Sequence, residues 1–283
     1  MYHFFIEPFV SYAFLNKALV VCLILSLSCS PIGVLLVLRR MSLMGDALSH
    51  SVLPGVAVGY MIAGLSLTAM GLGGLIAGLL VALLATLVSR YTQLREDASF
   101  VGFYLIALSL GAILISLKGN SVDLMHILFG DILSVSKDSL VFMASVTSLT
   151  LIVIAIIYRP LVVECFDPIF MRSIGAHGTI YHIIFMFLVV INMVSAFQAL
   201  GTLMALGLVM LPAIASRFWT TQLWKLMLFS VGISLISSYL GLVLSFHYNW
   251  PSGPAISLIA GVFYVFSLLI GHHGSVLRTC KNA

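Results

Sequence analysis

The chain has 283 residues, of which 61% are hydrophobic and 8% are charged, and its mean hydropathy is +1.19. Soluble domains usually have about a quarter of their residues charged, so this composition excludes a globular protein with a water-facing surface and indicates that the bilayer is the solvent. The formal net charge of +4 does not indicate a nucleic-acid partner, because the basic residues stand in short pairs at the ends of apolar runs, where membrane orientation explains them better.

Apolar runs recur along the whole chain, and a helix of about 20 such residues crosses a hydrocarbon layer of roughly 30 Å. Their length and Leu, Ile, Ala and Gly content favour helices over the short alternating strands of a barrel. We therefore predict an all-α fold, a polytopic integral membrane helical bundle with eight or nine transmembrane helices in a single domain covering residues 1–283. The predicted spans are 15–38, 52–67, 69–88, 99–117, 140–158, 181–197, 200–214, 226–246 and 254–270.

Two stretches of the chain decide how many spans are expected. The first, 15–38, is too long for a signal peptide and has no small-residue cleavage site leading into a soluble domain, so we expect it to stay in the protein. The stretch 192–215 holds either one broken span or the ends of two. The number of spans is eight in the first case and nine in the second.

The positions of lysine and arginine predict the orientation, because short cytoplasmic loops retain positive charge. In the nine-span arrangement, all basic residues except Lys17, Lys118 and Lys137 fall on one side. We expect this side, and with it the C-terminus, to be cytoplasmic, and the N-terminus to be outside. The basic residues on it are Arg39, Arg40, Arg90, Arg95, Arg159, Arg172, Arg217, Lys225, Arg278 and Lys281.

The segment 159–177, RPLVVECFDPIFMRSIGAH, lies on the predicted cytoplasmic side and mixes charged residues with large apolar ones. A short amphipathic helix is expected after Asp167, with Pro168 in its first turn. Such a helix either lies on the lipid headgroups or docks a soluble partner, and the residues alone favour neither reading.

Two pairs of glycines predict close helix packing. Gly55 and Gly59, and again Gly74 and Gly78, stand four residues apart, a spacing that lets helix backbones approach each other. Such pairs are common in membrane helices. They indicate a tight bundle and no particular activity.

Asp46 and His50 are the strongest candidates for chemistry, because ionisable residues in an apolar zone cost about 2.5–3.5 kcal/mol to insert. They stand four residues apart and share a helix face. A carboxylate oxygen and an imidazole nitrogen make half of a site for Mn²⁺, Zn²⁺ or Fe²⁺, which a two-fold partner would complete. Alternatively, the two side chains hydrogen-bond each other, or Asp46 only complements a helix dipole.

Several kinds of enzyme are excluded by missing motifs. There is no glycine-rich phosphate loop ending in Gly-Lys-Ser/Thr, so ATP hydrolysis is not expected in this chain. There is no His-Glu-x-x-His metalloprotease motif and no Gly-x-Ser-x-Gly elbow. The four cysteines contain no Cys-x-x-Cys pair and indicate neither a disulfide framework nor a zinc knuckle. We expect no enzymatic activity.

The segment 41–60, MSLMGDALSHSVLPGVAVGY, resembles the signature of the bacterial ABC-type zinc, manganese and iron permeases. Further matches follow in order over nearly the whole chain. The most specific matches are the segment 41–60 and the one that starts at Leu200. The further matches are REDASFVGF from Arg95, ILFGDILSVS from Ile127, FDPIFMRSIG from Phe166, LGTLMALGLVMLPAIAS from Leu200 and NWPSGPAISL from Asn249.

The resemblance implies a multi-pass protein of the bacterial cytoplasmic membrane that forms a homodimeric pore. A separate cytoplasmic ABC ATPase would drive alternating access, and an extracytoplasmic metal-binding protein would deliver a divalent ion (Mn²⁺, Zn²⁺ or Fe²⁺), with no permanently bound cofactor. Asp46 and His50 would lie on the metal pathway. FDPIFMRSIG would be the coupling helix, with Asp167 and Phe170 in it and Gly175 at its end against the ATPase, although Ile169 and Met171 depart from the usual pattern.

Two rival functions remain open at this point. A siderophore or cobalamin permease has a related architecture but needs a wide, mostly neutral path, which the Asp46/His50 pair disfavours. A membrane scaffold that does not transport would use the segment 159–177 to recruit a partner.

Overall fold

The computed structural model describes residues 9, 12–64, 66–92, 94–118, 135, 137–173 and 178–273. Over these residues the secondary structure is helical, without strands. The helices are α1 (Ala13–Leu38), α2 (Met44–Ser51), α3 (Leu53–Ala63), α4 (Leu67–Tyr91), α5 (Glu96–Lys118), α6 (Lys137–Phe166), α7 (Pro168–Ser173), α8 (Gly178–Leu200), α9 (Thr202–Ser216), α10 (Leu223–Tyr248) and α11 (Ser252–Ile270).

The described helices confirm an all-α, multi-pass membrane protein. Seven are long and apolar enough to cross a bilayer, namely α1, α4, α5, α6, α8, α10 and α11. The short apolar helix α9 and the consecutive helices α2 and α3 supply two more candidate crossings, which agrees with the predicted eight or nine. The stretch 192–215 contains two helices, because Gly201 adopts φ 78° between α8 and α9.

Two predicted spans end more than three residues away from the end of the observed helix. The fifth span was predicted to end at Tyr158, but α6 continues through Pro160 to Phe166, so the first part of the segment 159–177 extends a spanning helix. The second span was predicted at 52–67, but α3 ends at Ala63 and the shorter α2 precedes it. The short helix expected after Asp167 is present as α7, beginning at Pro168.

The chain divides into two compact units, and the first contains Met1–Val37, His126–Thr147 and Ala199–Ala283. Within it α9, α10 and α11 pack against one another. The buried polar side chains described in this unit are neutral hydroxyls, and Ser26 hydrogen-bonds Ser234 at 2.8 Å between their oxygens. Thr147 donates to Ser28 at 3.1 Å. Hydroxyls that bond across helices satisfy one another in an apolar interior at low cost.

The second unit contains Leu38–Met125 and Ser148–Gln198. Here α3 packs closely on α4, and a Cβ atom added at Gly55 would lie 2.0 Å from the carbonyl oxygen of Gly73. One added at Gly59 would lie 2.5 Å from the carbonyl oxygen of Ala69. The close approach predicted from the Gly55/Gly59 spacing is therefore confirmed. Helix α2 packs on α5 in the same unit.

Candidate functional site

Helix α2 positions Asp46 and His50 on one face. Met44, Ala47, Leu48 and Ser51 of this helix are buried and form its packed side. The Asp46 Oδ1 and His50 Nε2 atoms lie 3.8 Å apart. This separation is too long for a hydrogen bond, so the two side chains lie side by side and do not satisfy each other.

The Asp46/His50 pair remains accessible in the single chain. The side chain of Asp46 is 61% exposed and that of His50 is 34% exposed, and the imidazole lies 6.1 Å from the ring of Tyr104 on α5. Among the described residues, no group of three or more His, Cys, Asp or Glu side chains could hold a metal ion. Within the described part of the chain, the pair therefore offers two donors without a third.

The chain turns between α1 and α2, the helix that holds the Asp46/His50 pair. Helix α1 ends at Leu38, and Arg40 adopts the left-handed conformation with φ 61°. The chain then turns, with Met44 N donating to Met41 O at 3.1 Å, before α2 begins. Asp46 therefore lies on a separate helix and not on a continuation of α1. Its place in the first turn of α2 is also favourable to the helix dipole.

The predicted coupling residues lie around α7. The Asp167 Oδ1 atom accepts a hydrogen bond from the Phe170 backbone N at 2.9 Å, which caps the helix. The Phe170 side chain is 52% exposed, whereas Met171 is buried. The helix therefore buries Met171 and presents the apolar side chain of Phe170 outwards. Gly175 lies outside the described residues.

A second ionisable group, the Arg39 cluster (Arg39, Glu96, Cys165 and His182), was not predicted as a site. The guanidinium of Arg39 donates from Nε to Cys165 Sγ at 3.0 Å and from a terminal nitrogen to His182 Nδ1. It also lies over the Phe185 ring, 4.9 Å from its centroid. The His182 Nε2 atom is 2.9 Å from Glu96 Oε1. The cluster joins the residue after α1 to α5, α6 and α8.

The Arg39 cluster borders a polar pocket of about 650 Å³. Arg40 and Glu164 add one charge of each sign to its lining. The Glu164 carboxylate lies against Gly178, where an added Cβ would approach its Oε2 to 2.1 Å. This places a negative charge at the N-terminus of α8, where the helix dipole favours it. The ends of α1, α4 and α6 and the start of α5 border this pocket.

One signal in the sequence could have revealed this cluster. His182 lies in an otherwise apolar stretch, TIYHIIFMF, within a predicted span. An ionisable residue inside a span is expensive and needs a partner. Its partners could not be identified from sequence, because Arg39 and Glu96 are far from it along the chain and Cys165 is not part of a recognisable cysteine motif.

Comparison with known proteins gives consistent matches over nearly the whole chain. The model of the ABC 3 transport family matches residues 11–271. The manganese import system permease protein ScaB of Streptococcus parasanguinis is 34% identical over 266 residues, which is 94% of each chain. The manganese transport system membrane protein MntC of Halalkalibacterium halodurans is 32% identical, over 97% of this chain and 93% of that protein.

A solved structure has the same fold. PsaBC from Streptococcus pneumoniae, determined in complex with a Fab, contains a chain 31% identical to this one. The TM-score is 0.84, and the match covers 99% of this chain and 100% of the other.

Proposed function

Because this chain belongs to the ABC 3 transport family, as its sequence motifs predict, we propose that it is the permease subunit of an ABC importer that carries Mn²⁺ across the membrane. The observation that carries the proposal is the Asp46/His50 pair. Two donors lie on one face of a short helix, 3.8 Å apart and accessible. Accessible ionisable donors that have no third ligand among the described residues are suited to an ion that binds briefly.

The chemistry of the pair fits this cargo. A carboxylate oxygen and an imidazole nitrogen suit Mn²⁺, and the absence of a thiolate disfavours soft ions. A second copy of the chain, related by a two-fold axis, would contribute an identical pair and complete four ligands. A site shared between two subunits opens when they move apart, whereas four ligands from one chain would hold the ion. The names of ScaB and MntC, both manganese proteins, favour Mn²⁺ over Zn²⁺ and Fe²⁺.

Energy would enter through α7. In the proposed cycle, ATP binding and hydrolysis in a separate cytoplasmic subunit move the segment that contains Asp167, Phe170 and Gly175. The exposed Phe170 provides an apolar contact for that subunit. The movement exposes the Asp46/His50 pairs alternately to an extracytoplasmic binding protein and to the cytoplasm.

The test is uptake of radioactive Mn²⁺ by a strain that lacks the gene. Wild-type protein should restore uptake, and the double variant Asp46→Ala, His50→Ala should not, at equal amounts in the membrane. The matched control is Asp138→Ala, His273→Ala, which removes the same two side-chain types from exposed positions at the start of α6 and after the end of α11. This control should transport normally.

Each alternative gives a different result. If the double variant imports normally, the two residues are not ligands. If wild type restores uptake of a metal chelate but not of free Mn²⁺, the chain is a chelate permease. If deletion of the gene changes no uptake at all, the scaffold function is favoured.

A further inference from the structure

Arg39 holds two acceptors of the Arg39 cluster, Cys165 Sγ and His182 Nδ1. Since a guanidinium can only donate hydrogen bonds, His182 Nδ1 must be the acceptor in its contact with Arg39. The imidazole therefore carries its hydrogen on Nε2, and this atom lies 2.9 Å from Glu96 Oε1. His182 is only 3% exposed. The hydrogen bond from Arg39 to His182 thus has a defined direction, and Glu96 lies on the far side of the imidazole.

On one side, the cluster continues into the proposed coupling helix. Cys165, which accepts from Arg39, lies in the last turn of α6. The Asp167 backbone N donates to Val163 O at 2.8 Å, so the helical hydrogen bonding runs on to the residue that caps α7. Met171 of α7 is buried and anchors this short helix. A displacement of α7 therefore moves the thiol of Cys165.

On the other side, the cluster continues into α2, the helix that holds the Asp46/His50 pair. Arg39 and Arg40 are followed by the turn from Met41 to Met44, and these two end residues of the turn are 3% and 2% exposed. Buried anchors at both ends of a short connection transmit a displacement of Arg39 to the start of α2. Asp46 lies in the first turn of that helix.

We propose that Arg39 is a positioning residue that couples movement of α7 to the Asp46/His50 pair. Its guanidinium fork holds Cys165 at the end of α6 and His182 on α8 at the same time, so the start of α2 follows α7. The inference rests on the proposed function, since it assigns α7 to the ATPase and the Asp46/His50 pair to the ion. It adds that the two are joined mechanically within one chain.

A lysine cannot replace this arginine. Arg39 uses two nitrogens of a planar group to reach acceptors on two helices, whereas an ammonium is a compact point charge without that geometry. Arg39→Lys therefore retains the positive charge of the cluster but loses the simultaneous contact with Cys165 on α6 and His182 on α8. Arg40→Lys is the matched control, because this neighbour lines the same pocket and is exposed.

The experiment measures Mn²⁺ ions imported per ATP hydrolysed, with the permease, its ATPase subunit and its binding protein reconstituted in liposomes. Arg39→Lys should lower this ratio by about 5- to 30-fold, the usual range for loss of coupling between sites. ATP hydrolysis itself should stay near the wild-type rate. Arg40→Lys should leave the ratio unchanged.

Cys165 provides an independent pair of variants if Arg39→Lys fails to assemble. Cys165→Ala removes the acceptor on α6 and should lower the ratio, while Cys165→Ser offers a hydroxyl oxygen to the same Nε–H and should restore it. A purely structural role would lower hydrolysis and import together and would give no rescue specific to serine.

The outcomes separate the two proposals. If the wild-type complex hydrolyses ATP but imports no Mn²⁺, the proposed function is wrong. If wild type imports Mn²⁺ and the variants at Arg39 and Cys165 retain its ion-to-ATP ratio, only the coupling role of Arg39 is wrong.

Discussion

The Asp46/His50 pair and the Arg39 cluster lie in the same compact unit and use the same kinds of side chain, but the fold treats them in opposite ways. In the pair, the carboxylate and imidazole are 3.8 Å apart and accessible. In the cluster, the corresponding distance from His182 to Glu96 is 2.9 Å, and the imidazole is buried. The guanidinium of Arg39 occupies the second ring nitrogen of His182.

This contrast distinguishes two uses of charge in a membrane protein. A buried ionisable group must be paired, since leaving it alone in an apolar interior costs several kcal/mol. A side chain whose polar atoms already contact neighbouring side chains can hold helices in place but does not bind an ion. A side chain whose ligand atoms make no such contact must remain accessible or else destabilise the fold, and it is therefore available to a ligand. How fully a group is partnered thus separates a positioning role from a ligand role.

The largest expected effect is on stability, from His182→Ala. The change removes the acceptor of Arg39 and the imidazole that lies 2.9 Å from Glu96, and breaking a buried charged network in this way costs about 3–5 kcal/mol. The melting temperature in detergent should fall accordingly. His50→Ala is the matched control and should change stability by no more than about 0.5 kcal/mol, because its imidazole is partly exposed. Equal destabilisation by both changes would contradict the contrast between pair and cluster.

The next effect is on transport, from Asp46→Asn. This change keeps the size of the side chain and removes the negative charge that a divalent ion needs. We expect Mn²⁺ uptake to fall about 10- to 100-fold, the range seen when the surroundings of a metal site are altered, while the melting temperature stays the same. Asp138→Asn, at the start of α6, should affect neither. A lower melting temperature with normal uptake would instead make Asp46 a structural residue.

The helical spans were largely predictable because hydropathy and length are strong constraints in lipid. The span predicted at 226–246 is α10, Leu223–Tyr248, and the one predicted at 254–270 is α11, Ser252–Ile270. Helix continuation was harder to predict. The span predicted to end at Tyr158 continues as α6 through Pro160 to Phe166. Proline removes one backbone hydrogen bond from a helix, and neighbouring groups in a membrane bundle can compensate for it.

The two sites differed in how far sequence could reveal them. Asp46 and His50 stand one helical turn apart, so a helical period alone places them together. The members of the Arg39 cluster come from α5, α6, α8 and the residue after α1, and no local pattern joins them. Arg39 served only to orient the bundle, and His182 was overlooked. Such contacts depend on how the helices pack.

A smaller effect is expected where helix packing supports α2. Gly55→Ala places a Cβ atom 2.0 Å from the Gly73 carbonyl oxygen, a backbone atom that cannot move aside alone. Overpacking of this kind costs about 2 kcal/mol, and the shift of α3 should also reduce Mn²⁺ uptake, since α3 follows α2 directly. Gly102→Ala is the control, because nothing lies within 4 Å of the added atom. Melting temperature and uptake measured together should separate the two variants.

The smallest effect is expected at Asp167, which caps α7 next to the Arg39 cluster. Asp167→Ala removes the cap that holds the Phe170 backbone N and should destabilise α7 by about 1 kcal/mol. Because a frayed α7 transmits less of its displacement to Cys165, ions imported per ATP should fall while hydrolysis persists. Asp167→Ser keeps a capping oxygen without the charge and should restore coupling. If serine behaves like alanine, the carboxylate itself contacts the ATPase, and the role of Asp167 is recognition of the partner and not support of the helix.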